Sequence, residues 1–211
     1  MNTLPTGRKR ISEGWLLLAL GVLLVVIDQV TKILVKTNLP LGGGFNVFGD
    51  WFRILFVENE GMAFGMKFGG WVGKLLLTVF RLALFGLLCA WIRKLVQKGD
   101  TPKGVLVGLT LITAGAFGNI VDSVLYGQIF SASYPWEVAT LGGEPYAPLL
   151  FGKVVDMFYF PLIDTIWPEW VPWIGGTPLR FFEPVFNFAD SCVTVGAFYL
   201  ILFQYKFFSK G

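Results

Sequence analysis

Apolar residues fill four stretches of this chain over about the 20 residues that a helix needs to cross a bilayer. The first runs from about Trp15 to Val35, the second from about Trp71 to Ile92, the third from about Val105 to Tyr126 and the fourth from about Val185 to Phe207. The pattern predicts four transmembrane helices. A polar, Gly-rich stretch, Thr37 to Gly70, joins the first two. A long connection, Gly127 to Pro184, joins the last two. Within the shorter connection, Phe45 to Val57 reads FNVFGDWFRILFV, a run of β-forming residues that predicts a small sheet on the membrane surface. Within the longer one, Ile163 to Ile174 reads IDTIWPEWVPWI. Tryptophan at that density fits an interfacial belt, and equally a loop packed on the protein itself. The fold class that follows is membrane all-α with a small outer-face β element. One integral membrane domain over residues 1–211 accommodates it.

Composition agrees with the pattern. The chain has 211 residues, 55% apolar and only 15% charged. Soluble domains carry roughly 25% charged residues. The net charge of +3 is small and its basic residues are scattered, so no nucleic-acid footprint is present. Lysine and arginine do set an orientation. Arg8, Lys9 and Arg10 precede the first helix, Arg93, Lys94, Lys98 and Lys103 join the second to the third, and Lys206 and Lys210 end the chain. Of the other two connections, Thr37 to Gly70 has only Arg53 and Lys67, and the long one has only Lys153 and Arg180. Both termini are therefore expected in the cytoplasm and both large loops outside. The first apolar run shows no small-residue cleavage site and continues into Asp28, Thr31 and Lys32, so it is read as a retained helix. Cys89 and Cys192 lie in apolar runs and are expected to be buried, inert thiols.

The polar residues inside the apolar runs carry the chemistry. An ionisable group within a membrane helix is costly and marks a functional site by default. With that orientation, Asp28 and Lys32 fall in the outer half of the first helix, and Asn119 and Asp122 in the last turns of the third. Asn187 and Asp190 fall in the first turns of the fourth, and Asp156 lies in the outer connection. All of them converge on the outer boundary. Asp28 and Lys32 are spaced to pair on one helix face, which suits helix bracing more than catalysis. Asn119 and Asp122 share a face, and Asn187 and Asp190 repeat that spacing where a helix start favours an anion. The chain contains no histidine, which excludes Ser-His and Cys-His nucleophiles and His-ligated metals. A hydrolase here must work with carboxylates, lysines or hydroxyls.

Five short segments then resemble, in order, the motifs of one family. Asp28-Gln29-Val30-Thr31-Lys32 resembles D-x-x-T/S-K. Asn59-Glu60-Gly61-Met62-Ala63-Phe64 resembles N-x-G-x-A-F/W. Gly115 to Asp122 resembles G-x-x-G-N-x-x-D, Val154 to Met157 resembles V-V-D-F/M, and Phe186 to Ser191 resembles F-N-x-A-D-S/T. The family is the bacterial lipoprotein signal peptidases (signal peptidase II). Two departures stand out. Ser123 follows Asp122 where the family usually has arginine, with Lys153 and Arg180 as candidates to supply that charge. The connections around Asp156 also carry insertions, Tyr126 to Lys153 and Phe160 to Glu183, whose role is open between outer-face structure, substrate gating and a partner surface.

The resemblance implies an aspartic endopeptidase of the bacterial cytoplasmic (inner) membrane. Its site faces the periplasmic or outer side. It would remove signal peptides from diacylglyceryl-modified prolipoproteins, cutting before the lipidated cysteine. Asp156 and Asp190 map onto the catalytic pair. Asp28, Lys32, Asn59, Gly61, Ala63, Asn119, Asp122 and Asn187 map onto supporting or substrate-binding positions. The expected partners are prolipoprotein substrates and membrane lipid, the expected state is a monomer, and neither metal nor organic cofactor is called for. Two other classes fit the bare residues: a Ser-Lys hydrolase built on Ser191 or Ser123, and a transporter using Asp28, Asp122 and Asp190 as an ion path.

Overall fold

Helices that carry charge inside and hydrocarbon outside define the architecture. A computed structural model describes residues 6–60, 70–161, 163–181 and 184–209. Helix α1 (Thr6–Asn38) exposes Leu16, Val22, Leu23, Val26, Val30 and Leu34 while burying Asp28, Lys32 and Lys36. Those three buried residues are four apart, so they form one stripe along the helix. This inverts the amphipathicity of a water-soluble helix, as expected when the solvent is hydrocarbon. Helix α2 (Gly70–Lys98) also exposes most of its apolar side chains, including Trp71, Leu76, Phe80 and Leu87. Helix α3 (Lys103–Val121) is the central element and packs against α1, α2 and the last long helix. It runs on through a π-helical turn, Asp122–Tyr126, into a short α4 (Gly127–Ile129).

Strands fill the two long connections. β1 (Gly44–Phe48) and β2 (Phe52–Asn59) form an antiparallel hairpin where the Phe45 to Val57 run predicts a small sheet. β3 (Val154–Tyr159) and the two-residue β6 (Val185–Phe186) complete an antiparallel sheet in the order β1-β2-β3-β6. β4 (Ile163–Ile166) and β5 (Pro178–Phe181) form a separate hairpin. Val155 and Met157 of β3 join Phe56, Tyr126 and Phe130 in a buried core beneath the sheet. Strand alternation turns Asp156 to the opposite face. Phe52, Phe158, Phe160 and Phe186 form a ring cluster, with Phe52 and Phe160 stacked at 4.6 Å between ring centroids and Phe158 tilted or edge-on to Phe52 and Phe186.

Three helical stretches, Glu13–Asn38, Gly70–Lys98 and Lys103–Ile129, are long and apolar enough to cross a membrane. The fourth predicted segment begins later than its apolar pattern suggests. Val185 and Phe186 pair with β3, and helix α5 (Phe188–Phe203) starts only after Asn187. Pro184 offers no N–H, and Asn187 in extended geometry (φ −121°, ψ −179°) caps the helix. Gln204 interrupts it before a final turn, α6 (Tyr205–Phe208).

The thiols divide. Cys192 is buried, whereas Cys89 on α2 is exposed, against expectation. In the Trp-rich hairpin, Trp170 is 81% exposed and Trp173 fully so, which removes packing on the protein as their explanation.

Candidate active site

Small residues let the site assemble. At Gly115 an added Cβ would meet the Ala189 carbonyl oxygen and Val193, and at Gly118 it would lie 2.5 Å from Asp28 Oδ2. The glycine pair therefore admits the start of α5 and the Asp28 carboxylate against α3, a close approach that small residues permit between membrane helices. Asp28 Oδ1 in turn accepts a hydrogen bond from the Ala189 N–H at 2.9 Å, which fixes the helix start.

Lys32 sits at the centre of the polar layer. Its ammonium lies 2.9 Å from Asp28 and 2.8 Å from Asp122, and donates to Asn119 Oδ1 at 2.8 Å. The Asp28–Lys32 pair is thus the brace expected from its spacing, extended to Asp122. Gln29 completes it. Its amide donates to Asp122 Oδ1 at 2.9 Å and to Asp28 Oδ2 at 3.1 Å, and its carbonyl accepts from the Tyr126 hydroxyl at 3.1 Å. Asp122 Oδ2 also accepts from the Val155 N–H at 3.2 Å, which ties the π-helical turn to β3.

Asp156 and Asp190 hang from this layer through two asparagines. Asn119 donates to Asp190 Oδ1 at 2.8 Å. Asn187 donates to Asp156 Oδ1 at 2.7 Å and to Asn119 Oδ1 at 3.1 Å. Asn59, at the end of β2, donates to the other Asp156 oxygen at 3.1 Å. The sheet register makes this possible. Val57 pairs with Asp156, Asn59 with Val154, and Phe158 with Phe186, so β3 holds Asp156 beside both Asn59 and the α5 cap. Asp156 is buried, whereas Asp190 is only partly so. Burial pushes the Asp156 carboxyl up to about 7, and the charge of Asp190 adds to the rise. Hydrogen bonds from Asn59 and Asn187 and the charge of Lys32 oppose it.

Eight of the ten residues expected at the site meet here: Asp28, Lys32, Asn59, Asn119, Asp122, Asp156, Asn187 and Asp190. Gly61 and Ala63 lie outside the described residues. Sequence reasoning missed Gln29 and Arg81. Arg81 of α2 donates to the Ser123 hydroxyl at 3.5 Å. Of the two cations expected to stand in beside Ser123, Lys153 is engaged elsewhere, 3.2 Å from Glu58, and the Arg180 side chain lies outside the described set. Ser123 and Ser191 donate to the backbone carbonyls of Asn119 and Asn187, and among the described residues neither hydrogen-bonds to a lysine. None of the described lysines therefore serves either serine as a base. Among the described residues no group of three or more acidic or cysteine side chains is arranged to hold a metal ion.

The insertion after Tyr126 contributes to a second polar cluster. Ser133 and Tyr146 surround a second buried ion cluster, in which Lys36 lies 2.5 Å from Glu58 and 5.0 Å from the Tyr146 ring centroid. Ser133 donates to Glu58 at 2.8 Å and accepts from Lys36 at 2.8 Å.

A family model described as signal peptidase (SPase) II matches residues 20–206. A lipoprotein signal peptidase of Porphyromonas gingivalis is 47% identical over 195 residues, spanning 92% of this chain and 84% of that protein. One from Amoebophilus asiaticus is 36% identical over 193 residues, spanning 89% and 77%. Among solved structures, a bacterial membrane enzyme determined by the in meso method at 2.3 Å resolution superposes with a TM-score of 0.58 at 24% identity, covering 92% of this chain and 90% of that one. That likeness concerns the fold, and with the three apolar helices it makes this a multi-pass membrane protein. A match over most of the chain, joined to close relatives that share one name, means that the chain belongs to the signal peptidase II family of aspartic peptidases.

Proposed function

We infer that the chain is a membrane aspartic endopeptidase that removes signal peptides from prolipoproteins, with Asp156 and Asp190 as its catalytic pair. The family assignment supports the activity. The observation that supports the pair is the asparagine bridge, Asp156 to Asn187 to Asn119 to Asp190. It holds two carboxyl groups in one cluster, in a chain that has no histidine. Two such groups resist double ionisation and share a proton.

The chemistry follows from their difference in environment. Asp156, raised to about 7, carries the shared proton near neutral pH. Asp190 acts as the base. It takes a proton from a water whose oxygen attacks the scissile carbonyl, while Asp156 gives its proton to the carbonyl oxygen. The resulting tetrahedral diol collapses as the proton on Asp190 passes to the leaving nitrogen and the C–N bond breaks. Asp156 recovers a proton from the diol. Asn119 and Asn187 hold the carboxylates, and Lys32, Asp28 and Asp122 hold the helices that present them.

The finer substrate reading is a precursor with a diacylglyceryl-modified cysteine, cut on the N-terminal side of that residue. Four membrane crossings with α5 as the last, cytoplasmic termini, and a site at the outer boundary of the inner membrane fit such a substrate. Its acyl chains stay in the outer leaflet while its signal helix lies among α1, α2 and α3. The chain would act as a monomer in contact with membrane lipid. The test is cleavage of a diacylglyceryl-modified precursor peptide by the purified protein. Asp156→Asn and Asp190→Asn should each lose at least about a thousandfold in kcat, the scale for removing a member of a catalytic unit. Cleavage at the wild-type rate by either folded variant would overturn the assignment, and coupled ion flux without cleavage would favour a transporter.

A further inference from the structure

The second helix contributes a cation that the mechanism above leaves unused. Along α2, Lys74, Thr78, Arg81 and Phe85 follow helical spacing and share one face. Phe85 stacks on Phe117 of α3 at 4.9 Å, and Thr78 donates to the Leu150 carbonyl at 3.1 Å. Lys74 is turned to the Glu60 carbonyl at 2.8 Å. Arg81 lies between these contacts and donates to Ser123 Oγ at 3.5 Å. Ser123 is fully buried and donates to the Asn119 carbonyl at 2.9 Å, and Asn119 is the residue that holds Asp190.

Charge points the same way. The cluster carries Asp28 from α1, Asp122 from the π-helical turn, Asp156 from β3 and Asp190 from α5. Lys32 is enclosed by Asp28, Asp122 and Asn119. Arg81 experiences the charges of Asp190, Asp122 and Asp156, that of Asp190 most strongly. An arginine on a helix whose neighbouring side chains meet hydrocarbon needs a counter-charge, and these carboxylates supply it. Ser123, small and buried, leaves room for the guanidinium to reach the cluster from α2.

We propose that Arg81 is a positioning residue for the peptidase reaction: anchored on Ser123, its guanidinium provides the positive charge that keeps the Asp190 and Asp156 carboxyl groups in their working arrangement. It acts through those carboxylates and not on the substrate. The proposal rests on the catalytic reading of Asp156 and Asp190.

Steady-state cleavage of a diacylglyceryl-modified precursor peptide tests it, with wild type, Asp190→Asn, Arg81→Met, Arg81→Gln, Arg81→Lys and Ser123→Ala compared in one detergent. Wild-type cleavage that Asp190→Asn abolishes establishes the underlying reading. Arg81→Met and Arg81→Gln should then lower kcat by about a hundredfold with KM within about twofold, the mark of an interaction expressed in the chemical step. Arg81→Lys keeps the charge and should recover at least about tenfold of that loss. Ser123→Ala keeps the charge without its anchor and should lose only about threefold. Equal activity of Arg81→Gln and wild type overturns the proposal while leaving the catalytic pair intact. So does an Arg81→Lys variant no faster than Arg81→Gln, since packing and not charge would then be the cause. Should Arg81→Met fail to fold, Arg81→Gln alone decides the comparison with Arg81→Lys.

Discussion

Asn187 and Asp190 cap one another. The Asp190 N–H donates to Asn187 Oδ1 at 2.8 Å, and the Asn187 N–H donates to Asp190 Oδ2 at 3.4 Å. This reciprocal box starts α5 and orients one proposed catalytic carboxylate, while the Asn187 amide holds the other at 2.7 Å. A single side chain thus links helix initiation to the geometry of both acids. Asn187→Ala is expected to cost about 1 kcal/mol for the lost cap and about 1–3 kcal/mol for buried groups left unsatisfied. Its activity should fall further than that of a stability-matched variant elsewhere. Thermal unfolding in detergent and peptide cleavage check the two parts.

The proton on Asp156 sets a pH dependence of both activity and stability. Its folded value of about 7 lies above the ordinary value of 3.8, through burial first and the charge of Asp190 second. The folded state therefore binds a proton more tightly than the unfolded one. Stability from this group is fully present below about 3.8 and is lost as pH rises through about 7. Between pH 6 and pH 8 the loss is about 1 kcal/mol, from about 1.4 kcal/mol per pH unit. Asp156→Asn should show a smaller fall in thermal midpoint over that interval than wild type. In wild type, kcat/KM should decline above about pH 7 as the shared proton leaves. A flat profile from pH 6 to pH 9 would exclude Asp156 as the proton carrier.

What the sequence disclosed follows the range of each interaction. Asp28 with Lys32, Asn119 with Asp122, and Asn187 with Asp190 lie within one helical turn, so spacing alone exposes their shared faces. The Phe45 to Val57 run discloses its own hairpin for the same reason. The link from Asn187 to Asp156 depends on strand register between β3 and β6, which no local pattern encodes. Family motifs pointed to it instead. Arg81 went unread although a lone arginine in an apolar run meets the rule for intramembrane charge, and its partner Ser123 in the π-helical turn becomes evident only in the packed structure. Gln29 carried no such signal, since an amide beside Asp28 is unremarkable until three elements converge on it. The start of α5 was misjudged because Val185 and Phe186 are apolar in a strand as they would be in a helix.

Lys32 is the counter-ion for Asp28 and Asp122, and all three are essentially inaccessible. Removing one member of a buried ion cluster leaves uncompensated charge and costs about 3–5 kcal/mol. Lys32→Met should therefore unfold at a distinctly lower temperature. Adding Asp122→Asn removes one of the stranded charges, so the double variant should lose less than the two single losses combined. Purely additive losses would show that Lys32 and Asp122 are not coupled.

Glu58 connects the insertion to β3, the strand that carries Asp156. It pairs in register with Val155, next to Asp156, and its carboxylate meets Lys36, Ser133 and Lys153. Burial alone would raise its pKa, but the charge of Lys36, hydrogen bonds from Lys36 and Ser133, and the charge of Lys153 prevail and hold it below the usual value of 4.5. A depressed folded pKa contributes stability above the unfolded value, and that stability is lost as pH falls through the folded value. Wild type should accordingly lose thermal stability steeply below about pH 4.5, and Glu58→Gln should lose less over the same acid interval. At neutral pH Glu58→Gln leaves Lys36 buried beside a neutral amide, at a cost of about 3 kcal/mol. Because Glu58 on β2 pairs with Val155 beside Asp156 on β3, cleavage should fall about tenfold with it, from displacement of the Asp156 carboxyl by a fraction of an ångström. Thermal midpoints from pH 3 to pH 8 beside cleavage rates test both effects. A variant that loses stability but keeps the full rate would separate the clamp from the site.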